Sequence, residues 1–342
     1  MATEVTCIVD TDGTQSPDYT SLAAAIAGET GASPKCVTGA DLVTNQEIAV
    51  FECRASSGVA DGYFVLNGFT SSADYYPMIY VPEAYSSGGV WKSNAYTVDR
   101  VVSSGYNRVA VIEDPHAVID GLQISGSGSA TELIGIYNNS GTNDGRVLIR
   151  NCLIDINLTS GTGMGIYSRY DSEIVNCIVL RSNSGMVFQG YYTSTSVIYN
   201  CVIQGCTTGI YRYGDYTLSV TNCAVFNNAD DFSGTMAVTY TASDDNDISG
   251  TGNIDISPGA TEADDWAAAF TDYTNGDFSL KSGSPLIDAG IDLSAVMDSV
   301  DIIGTSRPQG DYWDIGAFEY VVSGGTLSIP VAMHHYNLLR SA

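Results

Sequence analysis

The sequence predicts an all-β solenoid of parallel strands, on three observations. The phrase Asn-Cys-apolar returns at Asn151, Asn176, Asn200 and Asn222, at intervals of 25, 24 and 22 residues. A second phrase, Gly135-Ile136-Tyr137, returns as Gly165-Ile166-Tyr167, Gly185-Met186-Val187 and Gly209-Ile210-Tyr211. Charged residues are only 15% of the chain, while Gly, Ser, Thr, Asn and Tyr are abundant, a mixture that builds short strands and polar turns. Each period therefore holds two or more short apolar strands between turn residues. No run is long or periodic enough for a leucine-rich or helical repeat.

In chain order, Asp18-Tyr19-Thr20-Ser21 precedes Leu22-Ala23-Ala24-Ala25-Ile26-Ala27, a helix with its own capping residues. Residues 1–35 are read as a strand and this helix, which caps a solenoid end that would otherwise expose core and unpaired backbone. Residues 36–320 are the solenoid with its closing segment. Within them, 75–83 and 108–122 have short-strand texture without the full phrase, and predict irregular coils with insertions. Regular coils begin with Ile119-Asp120-Gly121-Leu122-Gln123-Ile124 and continue through the four Asn-Cys copies, each flanked by Ile or Val.

Stacked coils bring equivalent positions about 4.8 Å apart into ladders of like side chains. Cys is small and readily buried, so Cys152, Cys177, Cys201 and Cys223 are read as an inward row of free thiols. Asn151, Asn176, Asn200 and Asn222 are read as a row whose amides hydrogen-bond from coil to coil. Both rows are structural.

Composition excludes several functions. Thirteen basic against 39 acidic residues leave a net charge of −26, which repels nucleic acid and anionic membranes. No apolar run approaches the ~20 residues of a membrane span. The opening MATEVTCIVD has neither a basic nor an apolar leader region, so export by its own N-terminus is not expected. Eight cysteines without a CxxC pair and three histidines do not make a zinc site. Asp10-Thr11-Asp12-Gly13 starts like a calcium loop but lacks the closing glutamate, and 244–247 is a short acidic turn. No cofactor and no metal site is expected; Ca²⁺ is the one ion these turns could take.

The closing segment runs Ser284-Pro285-Leu286-Ile287-Asp288-Ala289-Gly290, then Gly304-Thr305-Ser306-Arg307-Pro308, then Asp314-Ile315-Gly316-Ala317-Phe318-Glu319. With the opening D-Y-T-S-L and the stacked I-x-N-C-x-I coils, the chain resembles the right-handed parallel β-helix, pectate-lyase-like superfamily. The likeness is to its extracellular and phage-encoded members and covers roughly residues 5–320. It implies a right-handed solenoid but little about function, because the superfamily includes lyases, hydrolases, adhesins and phage tail proteins. Asp288, Arg307, Asp314 and Glu319 are read as an ion-pair and turn network that finishes the C-terminal end of the solenoid.

Candidate sites lie on the regular coils. Arg169 and Asp171, with Arg212 and Asp215, each follow a Gly-Ile-Tyr phrase, and the two arginines could flank one groove. These are the first candidates if the protein is a polysaccharide lyase or glycoside hydrolase. Tyr137, Tyr167 and Tyr211 hold matched positions, joined by Tyr170, Tyr191, Tyr192, Tyr213 and Tyr216 in adjacent loops. Such a strip suits sugar stacking or a protein interface, and serves equally as a structural ladder.

After Tyr320 the texture changes to V-V-S-G-G-T-L and then an apolar stretch. Residues 321–342 are read as an assembly arm carried by Ile329, Val331, Met333, Tyr336, Leu338 and Leu339, docking on other virion or surface proteins or on copies of this chain; the alternative is a strand or helix folding back on its own coils. The function expected is non-enzymatic: a structural or attachment protein of a phage virion surface, as capsid decoration or tail-associated protein. The alternatives are the lyase or hydrolase, and a carbohydrate-binding adhesin at a cell surface or outside the cell.

Overall fold

The computed structural model describes residues 2–14, 16–55, 58–141, 145–190, 194–245, 247–256 and 262–321. Tyr191, Tyr192 and the arm from 322 onward lie outside them. The chain is a parallel β-solenoid of about 7 turns. One sheet stacks nine parallel strands in chain order, from Thr3–Asp10 through Glu47–Arg54, Val147–Arg150, Ser172–Val175 and Thr195–Tyr199 to Ala237–Thr239. A second sheet of thirteen strands holds the Gly-Ile-Tyr strands and the short strands that follow each Asn-Cys, such as Ile178–Leu180 and Val202–Gln204.

Register follows the repeat. Ile119, Ile149, Ile174, Ile198 and Val220 stack in one row, and Ile154, Val179, Ile203 and Val225 in another. All are fully buried. Ile136, Ile166, Met186, Ile210 and Phe232 form a third row. The glycine of that phrase is steric: a Cβ on Gly165 or Gly185 would lie 2.6 Å from a carbonyl oxygen of the next coil.

The helix Leu22–Glu29 packs Leu22, Ala25 and Ile26 onto the first coil's core, with Ser21 Oγ accepting from Ala24 N at 3.2 Å. Glu29, the last residue of the helix, is buried and accepts from Lys35 N, Cys36 N and Val37 N at 2.9–3.0 Å. A Cys7–Cys36 disulfide ties the loop after the helix to the first strand. The cysteines at the repeat are free and buried. Their sulfurs bond along the stack, Cys201 Sγ accepting from Cys177 N at 3.3 Å and Cys223 Sγ from Cys201 N at 3.4 Å.

Two expectations are corrected. The asparagines do not mainly bond one another; among the described residues only Asn176 Nδ2 to Asn151 Oδ1, at 3.3 Å, joins two of them. Each occupies a left-handed turn, with φ between 50° and 57°, and Gly121 and Tyr240 take the same conformation at either end of the row. Asparagine tolerates that conformation better than other non-glycine residues. Its amide is then free to meet the closing segment: Asn176 donates to Val300 O, Asn200 to Asp314 O and Asn222 to Ile291 O.

The closing segment therefore does not finish the end of the solenoid. It runs back along the flank, from Ile291 against Asn222 to Asp298 against Arg150, and covers a second apolar core. The outward residues Leu153, Ile178, Val202 and Ala224 pack there with Leu286, Ile315, Ala317 and Phe318. In Asn-Cys-apolar-Ile the cysteine faces the bore, so alternation turns the next residue out, and this row needs a cover. Arg307 anchors the cover with no exposed side chain. It pairs with Glu319 at 3.0 Å and donates to Asp314 O and Gly316 O. Asp288 Oδ1 accepts from Tyr312 N, and Asp314 Oδ1 from Asp288 N.

Candidate functional site

The tyrosine flank lies on the outer face of the second sheet. Tyr137, Tyr167, Val187 and Tyr211 share one row, so the matched tyrosines are interrupted by a valine. Tyr137 and Tyr167 stack with ring centroids 5.4 Å apart and planes 15° apart. Arg108 lies 5.0 Å from the Tyr137 centroid, and Arg169 Nη1 donates to the Tyr137 hydroxyl at 3.0 Å. Tyr167 OH donates to Gln189 Oε1 at 2.8 Å. Tyr211 and Tyr213 form a second pair, 6.3 Å apart, with Tyr213 exposed. Tyr170 is half-buried and its carbonyl accepts from Tyr216 OH at 2.6 Å. Tyr216 is not on the surface strip: it is buried against Phe188.

The four candidates for chemistry do not converge. Arg212 aligns with Phe188 and hence with Ser168, one position before Arg169, so the two arginines occupy neighbouring rows that face opposite ways. Arg212 Nε donates to Tyr216 O at 2.6 Å. Asp171 Oδ1 accepts from Thr195 N at 2.7 Å, and Asp215 is exposed in the turn before Tyr216.

A cavity of about 800 Å³ lies elsewhere, between the Asn-turn edge of the solenoid and residues 296–304 of the closing segment. Sequence reading missed it, because its two walls are more than a hundred residues apart and carry no shared phrase. Arg150 lines it, 2.9 Å from Asp120 and 2.8 Å from Asp298. Burial opposes the charge on Arg150, but the two aspartates outweigh it and hold the guanidinium above its ordinary value. Lys92, Glu83, Glu173 and Asp301 complete the charged lining, and Val175, Val296, Val300, Ile302 and Ile303 much of the apolar lining.

Asp244, Asp245 and Asp247 meet Asp230 and Asp231 from the preceding coil. Asp231, Asp244 and Asp245 offer oxygens within 4.8 Å of one another, as do Asp230, Asp245 and Asp247. Oxygen-only sets of this kind suit Ca²⁺ among biological cations. Asp231 is fully buried, and burial raises its carboxyl to about 8 despite hydrogen bonds from Ser243 and Asn228. Trp266 Nε1 donates to Asp244 at 2.9 Å.

No family model and no curated protein matches the chain. Among solved structures, the crystal structure of pectate lyase Pel9A is similar over 93% of this chain and 97% of that one, with a TM-score of 0.48 and 13% identity. No residue role in this chain rests on that likeness.

Proposed function

We propose that the protein is a non-enzymatic attachment protein, a rigid acidic solenoid that presents its tyrosine flank to a neutral glycan. The carrying observation is the Tyr137–Tyr167 stack, with Arg108 over the Tyr137 ring, Arg169 bonded to the Tyr137 hydroxyl, and Tyr213 exposed two coils further along the same sheet. Aromatic faces held rigid by neighbours suit the apolar faces of sugar rings and lose little entropy on binding. A net charge of −26 disfavours polyuronates.

Chemistry finds less support. A lyase needs a basic group that releases its proton near neutrality, whereas Asp120 and Asp298 push Arg150 the other way. Arg169 and Arg212 are engaged by Tyr137 and Tyr216 and do not share a groove. We place the protein on a phage virion surface on the strength of its closing segment, which reads like those of phage-encoded β-helix proteins. A cell-surface adhesin would use the same flank.

The test is a glycan array probed with the intact protein and with Tyr167→Ala and Tyr213→Ala, beside a polygalacturonate digest followed by ultraviolet absorbance and reducing ends. Retention on neutral glycans that drops roughly tenfold in the variants, with no product, is expected. Product that disappears in Arg150→Ala or Arg169→Ala would overturn the reading in favour of a lyase.

A further inference from the structure

The cavity beside Arg150 has an apolar wall open to solvent: Ile303 is 47% exposed and Val296 55%. Its charged lining is unbalanced, with Glu83, Asp120, Glu173, Asp298 and Asp301 against Lys92 and Arg150. A volume of about 800 Å³ falls within the roughly 300–1,000 Å³ of sites that enclose a small molecule or a short peptide segment.

The chain itself supplies a matching segment. Residues 322–342 contain no Asp or Glu in a protein with 39 of them, and carry His334, His335 and Arg340. Ile329, Val331 and Met333 alternate with Pro330 and Ala332, so apolar side chains recur at every second position. The root of this segment is at the cavity wall. Glu319 N donates to Asp301 Oδ2 at 3.0 Å, and Asp301 lines the cavity. Eight residues from Val321 to Ile329, two of them glycine, reach at most roughly 26–29 Å.

From the shared chemistry and this root we infer that residues 329–339 of the same chain dock into the cavity beside Arg150, with Ile329, Val331 and Met333 against Val296, Val300 and Ile303. Tethering at the wall gives the chain's own segment an effective concentration that a second copy reaches only when assembled. This inference is independent of the glycan reading.

The experiment places benzoylphenylalanine at Met333 in the full chain and mixes unlabelled with ¹⁵N-labelled protein before irradiation and mass spectrometry. Cross-links to peptides holding residues 80–84, 148–151, 173–176 or 296–304, within one isotope class, are expected. Ile303→Asp and Val296→Asp, both at exposed positions, should each lower their yield roughly tenfold with the melting temperature unchanged. Cross-links elsewhere, or a yield that neither substitution alters, would refute docking at this cavity. Mixed-isotope cross-links would make a second copy the occupant and overturn the inference that it is the same chain.

Discussion

Asn222 and Ile291, 69 residues apart, close a two-bond ring. The Asn222 amide donates to Ile291 O at 2.8 Å and accepts from Ile291 N at 2.9 Å. A side-chain amide here does what a neighbouring strand's backbone would do, and pins the returning segment to the solenoid. Asn222→Gly keeps the left-handed turn and loses the ring, so it should cost about 1–3 kcal/mol. Asn222→Ala should cost about 1 kcal/mol more, because alanine is strained at that φ. Denaturant unfolding of both variants checks the order.

Arg307 is wholly buried, and its two Nη groups donate to three acceptors, Glu319 and the carbonyls of Asp314 and Gly316, while its Nε has no partner among the described residues. Arg307→Ala strands Glu319 and should destabilise by about 3–5 kcal/mol. Arg307→Lys should rescue little, since one ammonium cannot span the fork. Equal stability of the lysine variant and wild type would contradict the assignment.

Asp231 gives the fold a pH dependence. Its folded-state value of about 8 lies above the ordinary 3.8, so the folded state holds this proton more tightly than the unfolded chain. Its contribution is present at low pH and lost as pH rises from about 4 to about 8. Glu319, raised by burial to about 7, adds the same sign. Asp231→Asn should flatten the slope and raise the melting temperature at pH 8 by roughly 2–4 °C, measured by calorimetry from pH 5 to 8.

The thiols should divide by place. Cys53, Cys152, Cys177, Cys201, Cys206 and Cys223 are buried and free, so a thiol reagent should label none in the native protein and all six after unfolding. Reducing Cys7–Cys36, which closes a loop of 29 residues, should cost roughly 3–4 kcal/mol and loosen the loop after the helix.

How much of this was legible beforehand follows from locality. The solenoid, the inward Cys row and the helix near residue 22 could be read because stacking repeats a side chain at each turn, and a repeat is visible along the chain. Asparagine's turn role was half visible: its spacing marked the row, but its partners Val300, Asp314 and Ile291 share no spacing with it. The Cys7–Cys36 pair was equally hidden, since an even count of cysteines names no partner.

The coil follows from local sequence alone, through the alternation that sends Cys152 inward and Leu153 outward. Long-range packing sets the rest: the outward row is covered by the chain's own returning segment, Arg150 sits between Asp120 and Asp298, and Arg169 and Arg212 face apart. Each of these depends on which distant residues share a surface or on how the strands are phased, and free energy selects that arrangement by burying apolar rows while giving buried carboxylates hydrogen-bond donors or cations.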